Sequence, residues 1–336
     1  MISIGIPRAL FYFRYYPMFK AFFEAMGVEV IVSPPTTQTV LSSGSSRVVA
    51  DTCLPVKVFC GHAISLEGKC DYVFIPVIRS VERKVYNCAK FLGLPDMVRA
   101  VIPESPPVLE IEIDITRGKR NLYQAIYQLG RHFTWNPLKI KRACMVARQA
   151  DLDYCGLMSD HGLNRKQALE KIAGISEEGA GQVATGYPTQ TQATIAVIGH
   201  HYLLCDEHVN HRLIHRLQQA GNRVLTPEML IKEELESAMT KLTGMVYWAY
   251  EEEVLGAGMH YLENGVDGII SVMAFGCGPD SLIMDMMHRQ ARGRKNVAFM
   301  SLTLEEHTAE TGMITRLEAF LDMVYRRKRK QVEMCV

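Results

Sequence analysis

Ile269-Ile270-Ser271-Val272-Met273-Ala274-Phe275-Gly276-Cys277-Gly278-Pro279-Asp280-Ser281 changes character at its middle. The first half is apolar and β-branched, the composition of a strand buried on both faces. The second half is a turn. Two glycines allow backbone angles closed to other residues, and Pro279 presets the first turn of a helix. Asp280 and Ser281 suit a helix start, where free N–H groups attract negative charge. Cys277 is therefore expected on the crest of a strand-to-helix turn, at the carboxyl end of a sheet strand. Open α/β sheets bind ligands at that edge. A thiol there is exposed and biased towards thiolate, the form that ligates iron or attacks an electrophile. The bland alternative is a small residue in a tight turn.

The rest of the chain repeats this strand–turn–helix rhythm. Residues 2–7 read as a strand, 11–26 as a helix that stops at Gly27, and 28–32 as a second strand. That β-α-β opening predicts a parallel sheet with a right-handed crossover. A short helix is expected within 34–46, strands at 71–76 and 108–113, and helical structure at 117–133 and from 137 to 174. Residues 79–90 read as a polar loop. The segment 174–193 is rich in glycine, threonine and glutamine and reads as a linker. A second lobe follows: strands at 194–199, 223–225 and 296–301, helices at 207–220, 227–242, 253–264 and 280–290, and 245–250 as strand or helix start. A last helix begins near Glu310, with the basic run 326–330 closing it. Two α/β lobes result, at 1–180 with a helical extension and at 190–336.

Composition narrows the class. The 336 residues carry 37 Lys and Arg against 36 Asp and Glu, so neither nucleic acid nor an acidic surface is implied as partner. Met1 to Ile6 reads as a strand rather than a secretory leader, and no apolar run is long enough to span a bilayer. The expectation is a soluble, cytoplasmic protein without a membrane partner. Nine cysteines are then unusual, because a reducing compartment disfavours disulfides. They read as a mixture of buried thiols and metal or redox ligands. The chain has no CxxC pair, HExxH, GxxxxGK[ST] or convincing GxGxxG, so any cysteine cluster must be assembled from residues far apart in sequence.

Three cysteines stand out. In Asp51-Thr52-Cys53-Leu54-Pro55-Val56-Lys57, Cys53 falls at a helix N-terminus, where dipole and free N–H groups lower a thiol pKa. Lys57 lies one turn on. Cys88, after Asn87, sits in a loop at the carboxyl end of a strand. With Cys277 from the second lobe, three thiolates in a cleft between the lobes would hold three irons of a 4Fe–4S cluster and leave the fourth open. Cys60, Cys155 and Cys205 are open alternatives, as further ligands or as packing. His62 reads as a hydrogen-bonded structural histidine, and Cys70 and Cys144 as packing. His307 and Glu310 follow a strand end and are candidates, with Lys57, for proton delivery; a solvated loop is the alternative.

The runs IGIPRALFYFRYYP, DTCLPVKVFCGH, DYVFIP, Asn87-Cys88, FGCGPDS and EEHTAETGMITRLEAFLDM resemble the activase-related proteins of the 2-hydroxyacyl-CoA dehydratase and benzoyl-CoA reductase superfamily. More distantly the chain is similar to the double-cubane cluster proteins. The resemblance implies two flavodoxin-like (Rossmann-like) lobes around an iron–sulfur cluster. It implies Cys53, Cys88 and Cys277 as ligands, of a 4Fe–4S cluster or an 8Fe–9S double cubane. It also implies a separate ATP-dependent activator ATPase that drives low-potential electrons into this chain, for reduction or dehydration of a small-molecule substrate in a homo- or hetero-oligomer. Cys205 stands where many relatives carry an aromatic residue. A non-catalytic accessory protein and a cluster-free two-lobe binding protein are the competing readings.

Overall fold

Short β-branched runs joined through helices leave parallel pairing as the way to bury both sheet faces. The computed structural model describes residues 1–82, 85–174, 191–240, 242, 248–294 and 296–334. Residues 175–190 of the expected linker, and 245–247, lie outside them. The chain divides into two compact units, Met1–His161 with Met245–Ala249, and Gly162–Gly244 with Tyr250–Val336.

The first unit holds β1 (Ser3–Ile6), α1 (Tyr12–Ala25), β2 (Glu29–Val32), α2 (Gln38–Ser45) and α3 (Leu54–Ile64). It continues with β3 (Tyr72–Glu82), β4 (Val85–Tyr86), α4 (Ala89–Leu92), α5 (Leu94–Val101), β5 (Val108–Asp114), α6 (Lys119–Arg131) and α7 (Pro137–Ser159). β2, β1, β3 and β5 are parallel neighbours in that order, and β4 folds back antiparallel on the end of β3. This is the start of a flavodoxin-like order. Phe19 and Phe23 pack edge-on against Phe74 of β3, at centroid distances of 4.7 and 4.9 Å, and anchor α1 to the sheet. α7 covers α1 through Ile140, Ala143 and Ala147. The stretch 79–90, read as a loop, instead continues β3 to Glu82 and adds β4. Pro76 marks no strand end, because at that point β3 pairs only with β5 and the missing N–H leaves the ladder intact.

α3 is buried on nearly every side, which its apolar sequence requires. Its contact with α2 depends on two glycines. A Cβ on Gly61 would run into the Val40 carbonyl, and one on Gly44 into the Lys57 carbonyl. Backbone cannot yield as a side-chain end can. Gly61→Ala is therefore expected to lower the unfolding free energy of this unit by about 3 kcal/mol. Urea denaturation checks it; a change below about 0.5 kcal/mol, within the range of surface substitutions, would refute the close-packing account.

The second unit holds α8 (Arg165–Ile172), β6 (Thr194–Ile198), α9 (His201–Leu204), α10 (Leu213–Gln219), β7 (Arg223–Leu225) and α11 (Lys232–Met239). Then come α12 (Glu251–Glu263), β8 (Gly268–Ala274), α13 (Gly278–Arg292), β9 (Ala298–Leu304) and α14 (Glu310–Met334). Its sheet is wholly parallel, ordered β7-β6-β8-β9, again flavodoxin-like. Three helices differ from expectation. The helix expected at 207–220 begins only at Leu213: His211 and Arg212 are left-handed, and Asn210 Oδ1 accepts the Leu213 N–H. That expected at 227–242 breaks into a short 3-10 turn and α11, with Leu230 extended between them. α14 continues past the basic run to Met334. Among the described residues no helix is long and apolar enough to cross a membrane.

Candidate functional site

In a doubly wound sheet, ligands bind at the carboxyl edge where the strand order reverses. In the first unit that edge lies between β1 and β3, in the second between β6 and β8.

Cys53 is the N-cap of α3, with extended backbone and Pro55 in the first turn. Because α3 leads into the amino end of β3, its own start lies at the carboxyl edge. Cys88 is the N-cap of α4, which follows the β3–β4 hairpin. Asn87 fixes this loop: its N–H donates to Arg79 O at 3.0 Å and its Nδ2 to Ile78 O at 2.6 Å. Lys90 Nζ donates to Asp51 O at 3.2 Å, tying the Cys88 helix to the loop that carries Cys53. Lys57 is buried, and its Nζ donates to Ala50 O at 2.8 Å, which commits the ammonium to the loop before Cys53. Cys60 is buried beneath. Burial, with Cys53 nearby, pushes its thiol up to about 12, so it stays protonated. His62 sits at the core of this edge, between Ser33 Oγ on Nδ1 and Thr36 Oγ1 on Nε2, both at 2.9 Å. Burial first, and Arg8 second, pull it down to about 3. It is a neutral, structural imidazole.

In the second unit β8 ends at Ala274, Gly276 takes a φ of +76°, and Cys277 caps α13. Open space surrounds the position of a Gly278 Cβ, so the turn is approachable. Asp280 does not cap its own helix. One carboxylate oxygen accepts the Ala274 N–H at 2.8 Å, and the other meets His200 Nε2 at 2.8 Å. His200 follows β6 and stacks on Tyr202 at 5.1 Å. Burial alone would lower the imidazole, but Asp280, helped by Glu251 and Glu253, raises it above its ordinary value. The strand end, the helix start and the neighbouring loop are thus locked by one buried carboxylate. Sequence reasoning gave Asp280 a helix-start role and left His200 unassigned. Nothing local pairs residues eighty positions apart; a histidine one residue beyond a strand-ending glycine was the available signal.

The remaining candidates scatter. His307 and Glu310 are exposed, and Glu310 pairs with Arg216 of α10. Cys155 is exposed on α7. Cys205 is buried, and burial, with Glu228 beside it, pushes its thiol well above the ordinary range. The eight described cysteines are free thiols. Among the described residues, no three of His, Cys, Asp and Glu are gathered as a metal-binding group. Cys53, Cys88 and Cys277 have in common that each is the N-cap of a helix.

A family model described as CoA enzyme activase uncharacterised domain (DUF2229) matches residues 3–230 of the 336. No curated protein matches the chain.

Proposed function

The chain belongs to the family described as CoA enzyme activase uncharacterised domain (DUF2229), and from that premise we propose that it is an iron–sulfur redox component of a CoA-enzyme activation system. It takes low-potential electrons from a separate ATP-dependent activator ATPase and uses them to reduce or dehydrate a small substrate. The observation that supports this reading is the recurrence of one setting: Cys53, Cys88 and Cys277 each cap a helix start beside the carboxyl ends of a parallel sheet. Such positions concentrate N–H groups against negative charge.

When bound, a 4Fe–4S cluster would supply one-electron chemistry. Cys53, Cys88 and Cys277 would hold it. The chain's other residues support those ligands. Asn87 orients the Cys88 loop, Lys57 brings positive charge to the Cys53 loop, and Asp280 rigidifies the Cys277 turn. His200, whose imidazole Asp280 raises above its ordinary value, lies close to the same strand ends. His307 and Glu310 remain candidates for proton delivery from the surface.

Iron and acid-labile sulfide on anaerobically reconstituted protein test the reading. About four of each per chain are expected, and about eight would indicate a double cubane. Cys277→Ala should lose most of the iron and change the reduced EPR spectrum. Full iron content in that variant would remove Cys277 from the ligand set. A wild-type chain that stays colourless and iron-free would end the redox reading and leave a two-lobe binding or accessory protein.

A further inference from the structure

The chain is nearly neutral overall, yet its charge is segregated. From Ile115 to Ala150 there are eight Lys and Arg and no Asp or Glu, a net of +8 that leaves −7 on the rest of the chain. This stretch builds α6, the following turn and most of α7. α7 turns Ile140, Ala143 and Ala147 towards the core. At 100° per residue, Leu138, Arg142, Met145, Gln149 and Leu152 fall on the opposite side. That outer face is not the usual polar one: Leu138 is 75 % exposed, Met145 66 % and Leu152 54 %, at intervals of seven. Beside it, Trp135 is 78 % exposed, and the Arg131 guanidinium lies 3.4 Å over its ring and 5.7 Å from that of Tyr127. Arg120, Lys141, Arg142 and Arg148 are exposed and form no ion pair among the described residues.

We propose that the outer face of α6 and α7 is a docking surface for a protein partner that presents an acidic helix with an apolar stripe. The seven-residue spacing matches the seam of a packed helix pair. The unpaired basic residues flank that seam and call for carboxylates opposite. A second copy using the same face would set like charges against one another. A base-stacking role fits less well, because Arg131 already covers one face of Trp135 and the α7 positions are aliphatic or thioether. The stripe is one residue wide and interrupted by Arg142 and Gln149, too narrow to sink into a bilayer. The proposal is independent of the cluster reading.

The test uses the full chain and a fluorescent synthetic helical peptide with leucine every three to four residues and glutamate on both flanks. Binding is expected to weaken about tenfold or more in Arg142→Glu/Arg148→Glu and in Met145→Glu, and to fall with rising salt. The circular dichroism of these variants should match wild type, since the sites are exposed. A peptide carrying lysine in place of glutamate should not bind. No binding, or unchanged binding in the variants, overturns the proposal. So does tighter binding of single-stranded oligothymidylate or of phosphatidylglycerol vesicles, or a dimer abolished by Met145→Glu.

Discussion

Asp280→Ala should destabilise the second unit by about 3–5 kcal/mol, the usual cost of removing one partner from a buried ion pair. Two groups lose their partner at once: His200 Nε2, and the Ala274 N–H at the end of β8. Both sit in near-complete burial, so water cannot replace the carboxylate without opening the turn. Denaturant unfolding measures the loss, and a cost under about 1 kcal/mol would contradict the locking role. The pH dependence separates charge from shape. His200 has a raised folded pKa, so its contribution is fully present below its unfolded value of about 6.5. It is lost as pH rises through the folded value. The gap between wild type and Asp280→Asn, which keeps the shape, should therefore narrow on the alkaline side. A gap that does not change with pH would mean that His200 is neutral in the fold.

Acid acts on the first unit through His62. Its folded pKa is about 3, against about 6.5 unfolded, because burial and the nearby Arg8 oppose the charged form. Between those values the unfolded chain binds the extra proton. Stability is then full above pH ~6.5 and falls by about 1.4 kcal/mol per unit below it, towards a total of roughly 4–5 kcal/mol near pH 3. His62→Gln removes the titration but weakens the contacts to Ser33 and Thr36, at a cost of about 1–2 kcal/mol near neutrality. The two stability curves should cross at about pH 5.5, the variant being the more stable below it. Parallel acid limbs would show that His62 is not the group responsible.

How much of this was legible in the chain differs from element to element. The alternation of β-branched runs with amphipathic helices announced two parallel α/β lobes, and β6, β7 and β8 lie within a residue or so of their expected positions. Gly27, with a φ of +79°, ends α1 as its sequence implies. The helix starts at Cys53 and Cys277 were legible because proline and glycine act on their immediate neighbours. The long β3 was not, since its end, Arg79-Ser80-Val81-Glu82, is mostly polar and becomes strand only by pairing with β4 and β5. The late start of α10 depends on the left-handed His211 and Arg212 and on Asn210, whose Oδ1 takes the Leu213 N–H that a continuous helix would have used.

Sequence alone determined the alternation of strands and helices, their parallel pairing, and the helix starts at Cys53 and Cys277, because those properties follow from residues a few positions apart; Cys88, expected in a loop, begins α4. The tertiary structure decided the rest. It joined His200 to Asp280, tied the Cys88 helix to the Cys53 loop through Lys90, and left a basic, apolar face on α7 uncovered. It also decided which titratable groups are charged: Cys60 and Cys205 stay protonated and His62 stays neutral. The cost of a charge is set by what has been packed around it, and that is known only once distant segments have met.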